Sequence, residues 1–342
     1  MPMEYRMSAT RSPFGFLTTC LVALLIGACS SVEEDREEPV FVHVLQANVG
    51  NVDHRCHNDE YLVNLCRVDV EQRLAENIQA LSPDIISLQE LVSDKQCEAF
   101  TEEDPRRVCH PDHRAEEPTQ ARRLVGPDYT IACDGRNGFE CVAVATSFGT
   151  IDGCEPGALC ADAAITPANP EGCDGGFTVS AVDVVPTGGP AFRVINGHPP
   201  SGFETACRHA QMRQIFEGHE GEAPLAEDGP TLLAGDFNLD PFTDTPMVTD
   251  DPSVATWNAF VGEGKRFHYH SGPAEHEPPY PTSFFLIEYV LDHVASDFLT
   301  GACTTLGEAP GTMRLDGFDQ GRPEEGTDHR ALDCRLGLAP PD

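Results

Sequence analysis

Positive charge is scarce in this chain: 22 lysines and arginines stand against 56 aspartates and glutamates, for a formal net charge of −34 at pH 7. A surface that acidic repels polyanions at long range, which weighs against tight nucleic-acid binding. It does not exclude a polyanionic substrate, because bound divalent cations reverse the local sign. No Cys-x-x-Cys pair occurs, which argues against a structural zinc site among the 14 cysteines. There is no internal repeat. Nothing like an interdomain linker interrupts the middle of the 342 residues, and with 40% apolar residues the chain can bury a sizeable core.

What is present begins with a leader. Arg6 and Arg11 precede an uncharged stretch from Phe14 to Ile26, followed by Gly27-Ala28-Cys29. Basic head, apolar middle and small-residue end mark residues 1–28 as a signal peptide, and the apolar stretch is too short to span a bilayer comfortably. Leu25-Ile26-Gly27-Ala28-Cys29 resembles a bacterial lipobox. That resemblance implies that Cys29 is the lipidated first residue of an exported protein held at the cell envelope, at the outer membrane in a Gram-negative cell. Plain secretion is the alternative. Stable anchoring takes more than one acyl chain. Residues 29–39, with Glu33, Glu34, Asp35, Glu37 and Glu38, read as an acidic solvated tether. Setting aside Cys20 and Cys29 leaves an even number of cysteines, which in an exported chain predicts disulfides. Local staples are expected for Cys56 with Cys66, for Cys97 with Cys109, and among Cys154, Cys160 and Cys173.

Hydrophobic periodicity over 40–338 predicts more strands than helices. Strands are expected at 40–49, 85–88, 129–133, 140–147, 177–185, 192–196, 231–234 and 289–295, with helices at 68–81 and 207–216. Helices separated by strands suit an α/β (α+β) arrangement of sheets packed face to face with helices outside. Residues 93–118 and 149–176 are cysteine-rich with little periodicity and read as stapled loops. A Pro-, Gly- and acid-rich stretch follows at 218–230.

Polar residues collect where apolar runs end: Gln46-Ala-Asn48, Gln89-Glu90, Asn196-Gly-His198, Gly235-Asp236-Phe237-Asn238, Leu291-Asp292-His293 and Thr327-Asp328-His329-Arg330. Burying such groups unpaired costs several kcal/mol each, so one shared site is the simplest account. Taken singly, each has a plainer explanation. Asp236 and Asn238 fit an Asx turn closing a strand, with Gly235 permitting the turn. Asp328-His329 fits a surface pair, Glu90 a buried ion pair with arginine, and Asn48 and His198 loop starts. Arg106, Arg107, Arg114, Arg122 and Arg123 fit either a phosphate-backbone contact or a solvated face.

The ordered set Asn, Glu, His, Asp-x-Asn, Asp, Asp-His resembles the endonuclease/exonuclease/phosphatase superfamily. Its most specific pieces are Leu88-Gln89-Glu90, Gly235-Asp236-Phe237-Asn238 and Thr327-Asp328-His329-Arg330. The resemblance implies a four-layer α-β-β-α sandwich and metal-assisted in-line attack of water on phosphorus. It assigns Glu90 as main metal ligand with Asn48 assisting and Asp328 close to the metal. Asp236 would orient or deprotonate the water, Asn238 and His198 would hold the phosphate, and His329, oriented by Asp292, would stabilise the transition state. The implied ion is Mg²⁺, with Mn²⁺ or Ca²⁺ as alternatives. Gly50 departs from members that carry an acid at that place. The expected partners are a phosphodiester substrate and, through the anchor, a membrane, with no protein partner evident. A nuclease, a sphingomyelinase-like or inositol-phosphate-type phosphoesterase, and an inactive binding lipoprotein of the same fold stay open.

Overall fold

The structure is a computed structural model that describes residues 41–50, 61, 64–134, 138–160, 166–168, 173, 178–202, 204–219, 221–227, 229–242, 250–272, 282, 289–307 and 326–338. The leader, Cys29, the acidic tether and Cys56 lie outside these residues. No helix among the described residues is long and apolar enough to cross a membrane.

Two mixed sheets form the centre. The first runs β12 (Leu299–Thr305), β13 (Leu332–Leu338), β1 (Phe41–Asn48), β2 (Ile85–Gln89), β4 (Cys141–Ala145), β3 (Tyr129–Cys133). The second runs β10 (His268–Tyr269), β11 (Asp292–Ser296), β9 (Thr231–Asp236), β8 (Phe192–Gly197), β7 (Val179–Pro186), β5 (Gly149–Ile151), with β6 (Thr166–Ala168) also on β7. Only β1 with β2 and β8 with β9 are parallel; the other pairs are antiparallel. Central strands such as Ile85-Ile86-Ser87-Leu88-Gln89 are buried on both faces, which is why they read as continuous apolar runs.

Three apolar layers hold the sandwich. Val44, Ile85, Val142, Val194, Leu232, Val294 and Leu336 fill the space between the sheets. On the outer face of the first sheet, α1 (Val68–Leu81) and α4 (Gln120–Val125) pack Val70, Leu74, Ile78 and Leu124 onto Leu45, Ile86 and Ile131. On the outer face of the second, α5 (Thr205–Phe216) and α6 (Pro252–Phe260) bring Met212, Ile215, Phe216 and Trp257 onto Ile195, Leu233 and Phe237. This is the expected α-β-β-α order. Helix α1 has the bounds its periodicity predicts, and it stops at Ser82, whose left-handed φ of 49° closes the last turn before Pro83.

Several expectations are corrected. The stretch 93–118 is not loop alone: it carries α2 (Asp94–Glu98) and α3 (Pro111–Arg114), and with α4 these helices follow one another without an intervening strand. Strand β11 begins at Asp292 rather than Tyr289. Residues 252–260 and the strands β12 and β13 are absent from the sequence reading. Cys97–Cys109 and Cys154–Cys160 are local staples, but Cys173 reaches 34 residues to Cys207 on α5. Cys133–Cys141 and Cys303–Cys334 join register partners on neighbouring antiparallel strands.

Candidate active site

Topology brings the polar residues to one pole. The parallel pairs β1/β2 and β8/β9 end together, with Asn48 opposite Gln89 and Gly197 opposite Gly235. Strands β11 and β13 run antiparallel to β9 and β1, so their beginnings lie at that pole. Asp292 is opposite Asp236, and Leu332, three residues after His329, is opposite Gln46. Four of the motifs thus close strands and two open them.

Two buried imidazoles flank Asp236. His198 Nδ1 lies 2.9 Å from Glu140 Oε1, and its Nε2 lies 3.5 Å from Glu90 Oε1 and 3.9 Å from Asp236 Oδ2. His329 Nδ1 lies 2.8 Å from Asp292 Oδ2, and its Nε2 3.7 Å from Asp236 Oδ2. Burial opposes a charge on each ring, but the carboxylates outweigh it. Glu140 and Glu90 push His198 up to about 10, and Asp292 and Asp236 hold His329 well above its ordinary value. Asp236 is raised to about 6, first by burial and further by Asp292, against the pull of both imidazoles and Asn48.

Asn48 spans the two carboxylates. Its Nδ2 donates to Glu90 Oε1 at 3.1 Å and to Asp236 Oδ2 at 3.0 Å, while its Oδ1 accepts from Gly50 N at 2.9 Å. It therefore meets Glu90 through its nitrogen, whereas direct metal ligation would need its oxygen. Asn238 donates its backbone N–H to Asp236 Oδ1 at 2.9 Å and its Nδ2 to Pro199 O at 3.0 Å. The Asx turn is thus real, and it leaves Asp236 Oδ2 to the site. Two of these residues sit in the left-handed region, Glu90 at φ 59° and Asn238 at φ 52°. Asn visits this region readily, whereas for Glu90 such backbone costs roughly 1–3 kcal/mol, a strain that clusters at functional positions.

Two carboxylate oxygens at this pole, Glu90 Oε2 and Asp328 Oδ1, are buried without a hydrogen-bond partner. Burial and the neighbouring Glu90 raise Asp328 to about 7, against the pull of His329. A Cβ built on Gly50 would lie 1.6 Å from Glu90 Oε2, so the Glu90 carboxylate occupies the space a side chain at position 50 would take. Ligand atoms of Glu90, His198 and Asp236 lie within 4.8 Å of one another, as do those of Asp236, Asp292 and His329.

Gly235 serves a different purpose from the expected turn. It lies inside β9, where a Cβ would meet Gly197 O at 2.2 Å, and a Cβ on Gly197 would meet the Phe237 ring at 2.3 Å. The two glycines let β8 and β9 close over Phe237, and the turn falls at Asn238.

Sequence reasoning missed Glu140. It follows the same rule as the others, a carboxylate beside a buried apolar strand, and its second oxygen accepts from Thr178 Oγ1 at 2.8 Å. The arginine run does not reach the site. Arg122 donates to the carbonyls of Gly126, Tyr129 and Gly157, Arg123 pairs with buried Glu71, Arg114 with Asp94, and Arg106 with Asp104. Arg114, Arg122 and Arg123 thereby anchor loops and helices of the fold, while Arg106 is exposed beside Asp104.

Residues 51–316 match the model of the Endonuclease/Exonuclease/phosphatase family. Similar solved structures include a functionally unknown conserved protein from Enterococcus faecalis (13% identity, TM-score 0.53, 87% of this chain and 100% of that one). ANGEL2, a 2',3'-cyclic phosphatase solved with adenosine-2',3'-vanadate, is similar at 14% identity and TM-score 0.51, covering 88% and 96%. An endonuclease/exonuclease/phosphatase from Beutenbergia cavernae gives 15% and 0.51, covering 87% and 72%. At such identities the likeness shows the fold alone. Among curated proteins none matches the chain.

Proposed function

Because the chain belongs to the endonuclease/exonuclease/phosphatase family, we propose that it is a divalent-metal-dependent phosphodiester hydrolase, exported and lipid-anchored at Cys29. The observation that carries this reading is the convergence of two imidazole–carboxylate pairs, His198 with Glu140 and His329 with Asp292, on the single carboxylate of Asp236.

The donor set fits a hard cation. Two buried, unpartnered carboxylate oxygens suit Mg²⁺, which needs only one or two carboxylates besides water, and Mn²⁺ or Ca²⁺ share its preference for oxygen donors. Glu90 and Asp328 would hold it, with Asn48 keeping Glu90 in place. Once bound, the ion would supply Lewis-acid polarisation and neutralise charge on the phosphoryl oxygens.

The chain's own residues supply the rest. Asp236, with a pKa near 6, accepts a proton from water at neutral pH while staying basic enough to draw it. His198 and His329 are both protonated at that pH, so each can place positive charge on oxygens that gain negative charge as the phosphorus is attacked. Asn238, anchored on Pro199, aligns the phosphate for in-line attack.

Five disulfides among the described residues support an oxidising, exported setting. The anchorage of Arg114, Arg122 and Arg123 weakens one support for a nucleic-acid path, and nuclease, sphingomyelinase-like and inositol-phosphate activities are arms of the test. Purified protein is assayed on bis-p-nitrophenyl phosphate with Mg²⁺, Mn²⁺ or Ca²⁺, then on duplex DNA, RNA, sphingomyelin, phosphatidylinositol and inositol phosphates. Chelator-sensitive turnover is expected. No turnover with any metal would favour an inactive binding lipoprotein and overturn the reading. Labelling of Cys29 by a fatty-acid probe tests the anchor.

A further inference from the structure

Three carboxamides precede site residues by one or two positions and have no part in the chemistry above: Gln46 before Asn48, Gln89 before Glu90, and Asn196 before His198. All three are buried, Gln46 and Gln89 completely. A buried amide costs free energy unless it is hydrogen-bonded, and these three bond to one another, with only Gln46 Oε1 left without a partner. Asn196 Nδ2 donates to the carbonyls of Leu88 (3.2 Å) and Cys141 (3.1 Å). Gln89 Nε2 donates to Asn196 Oδ1 (2.8 Å) and Ser87 Oγ (3.0 Å). Gln46 Nε2 donates to Gln89 Oε1 (2.8 Å) and to Asp292 Oδ1 (2.8 Å).

The direction of this chain is set at one end. Backbone carbonyls only accept, so Asn196 must turn its NH₂ toward Leu88 and Cys141 and its oxygen toward Gln89. Gln89 must then offer its NH₂ to Asn196 and its oxygen to Gln46. Gln46 must in turn offer both N–H groups, one to Gln89 and one to Asp292. None of the three amides can flip without setting oxygen against oxygen. Asp292 thus receives a donor at Oδ1 from Gln46 and at Oδ2 from His329 Nδ1.

We propose that this carboxamide chain is a positioning device for the hydrolytic site, with Gln46 as its terminal member. It holds the Asp292 carboxylate in one rotamer, accepting at both oxygens, and so fixes the His329 ring with Nδ1–H on Asp292 and Nε2 toward Asp236. It crosses between the sheets, since Gln46 and Gln89 stand on β1 and β2 of the first and Asn196 and Asp292 on β8 and β11 of the second. The inference rests on the catalytic reading of His329 given above.

The test uses Gln46→Met, which keeps length and removes both donors, beside Gln89→Met, which breaks the chain one step farther from Asp292. On bis-p-nitrophenyl phosphate, Gln46→Met is expected to lower kcat by about 10- to 100-fold, the range for residues that orient a catalytic ligand, with KM within about twofold. Gln89→Met should lose less kcat for a similar fall in thermal midpoint. In metal-free protein, the downfield His329 Nδ1–H proton resonance, identified by its absence in His329→Gln, should persist in wild type and weaken in Gln46→Met. Should Gln46→Met not fold, Gln46→Asn keeps the amide but shortens its reach by one methylene, and carries the same test. Wild-type kcat and an unchanged resonance in the Gln46 variant overturn the inference, as does kcat loss that merely follows thermal midpoint across both sites. A wild-type protein without turnover sinks the hydrolase reading instead, and the resonance then decides the positioning alone.

Discussion

His198 Nδ1 and Glu140 Oε1 are 2.9 Å apart, both side chains buried, and Glu140 thereby commits the other ring nitrogen of His198 to the site. The pairing predicts a pH signature. His198 rises on folding from its ordinary 6.5 to about 10. A raised imidazole contributes stability that is full below about 6.5 and disappears as pH rises toward 10. Glu140→Gln keeps the shape but not the charge. Its thermal midpoint should therefore lose the larger part of that decline between pH 6.5 and 10, with Glu90 keeping the rest, and its kcat should fall about 10- to 100-fold. Thermal scans across this range, paired with kinetics at pH 7, check both; an unaltered pH slope would contradict the pairing.

Glu90→Gln and His329→Ala should each lose most activity, for different reasons. The first takes the charge from the carboxylate whose Oε2 is buried without a hydrogen-bond partner and would hold the cation. It should also lose the rise in thermal midpoint on adding Mg²⁺ or Mn²⁺, which at 100 times the Kd amounts to about 2.7 kcal/mol. His329→Ala should keep that rise. Differential scanning with and without metal separates the two, and equal metal responses would misplace the cation.

Asp236 gives the acid limb. Its pKa is raised from 3.8 to about 6, mainly by burial, so kcat/KM should fall about tenfold per unit as pH drops below 6. The sign for stability is opposite to that of a paired surface carboxylate: the contribution is present below about 3.8 and lost as pH rises through 6. Asp236→Asn should therefore be inactive yet more thermostable than wild type at pH 8 in chelator. A flat rate profile down to pH 5 would remove Asp236 from the role of base.

How much of this was legible follows from where the signals lie. Asn48, Glu90, His198 and Asp236 close strands whose apolar runs are buried on both faces, so their polar ends stand out. Asp292 follows an apolar run in sequence yet opens β11, because period and polarity carry no strand direction. Glu140 was missed since it heads an apolar stretch without a neighbouring motif residue. Strand β13 alternates Leu332, Cys334 and Leu336 with Asp333, Arg335 and Gly337, a period-two pattern open to reading. Strand β12 is hidden by Gly301, at φ 136°, and by small residues. The arginine run shows the opposite problem. Composition offers a phosphate-binding face, and only the fold reveals that the guanidinium groups are engaged.

That engagement is testable through Arg123. Its Nε and one terminal nitrogen meet both oxygens of Glu71 at 2.6 and 3.0 Å, and Glu71 is buried, held by His113 and Gln120 as well. Removing one partner of a buried pair leaves an uncompensated charge and costs about 3–5 kcal/mol. Arg123→Ala should thus be strongly destabilised in urea or heat, with KM for any polyanionic substrate unchanged at a permissive temperature. A raised KM without loss of stability would return the run to substrate binding.

Gly50→Ala is the smallest change that should silence the site. A Cβ there would fall 1.6 Å from Glu90 Oε2 and 2.6 Å from its carboxyl carbon, well inside contact distance. Backbone relief is restricted on both sides, because Gly50 N donates to Asn48 Oδ1 and Gly50 O accepts from Asp328 N. The Glu90 carboxylate must therefore swing away, and its own φ of 59° leaves little slack in the chain that carries it. Loss of Mg²⁺ or Mn²⁺ binding should follow, read by calorimetry, with turnover falling in step. The fold itself should persist, since the nearest atoms to the new methyl are side-chain atoms of Glu90 and Asn48 at the site rather than core residues. If Gly50→Ala binds metal as tightly as wild type, the cation is not held at Glu90 and Asp328, and the proposed metal centre must lie elsewhere on this pole.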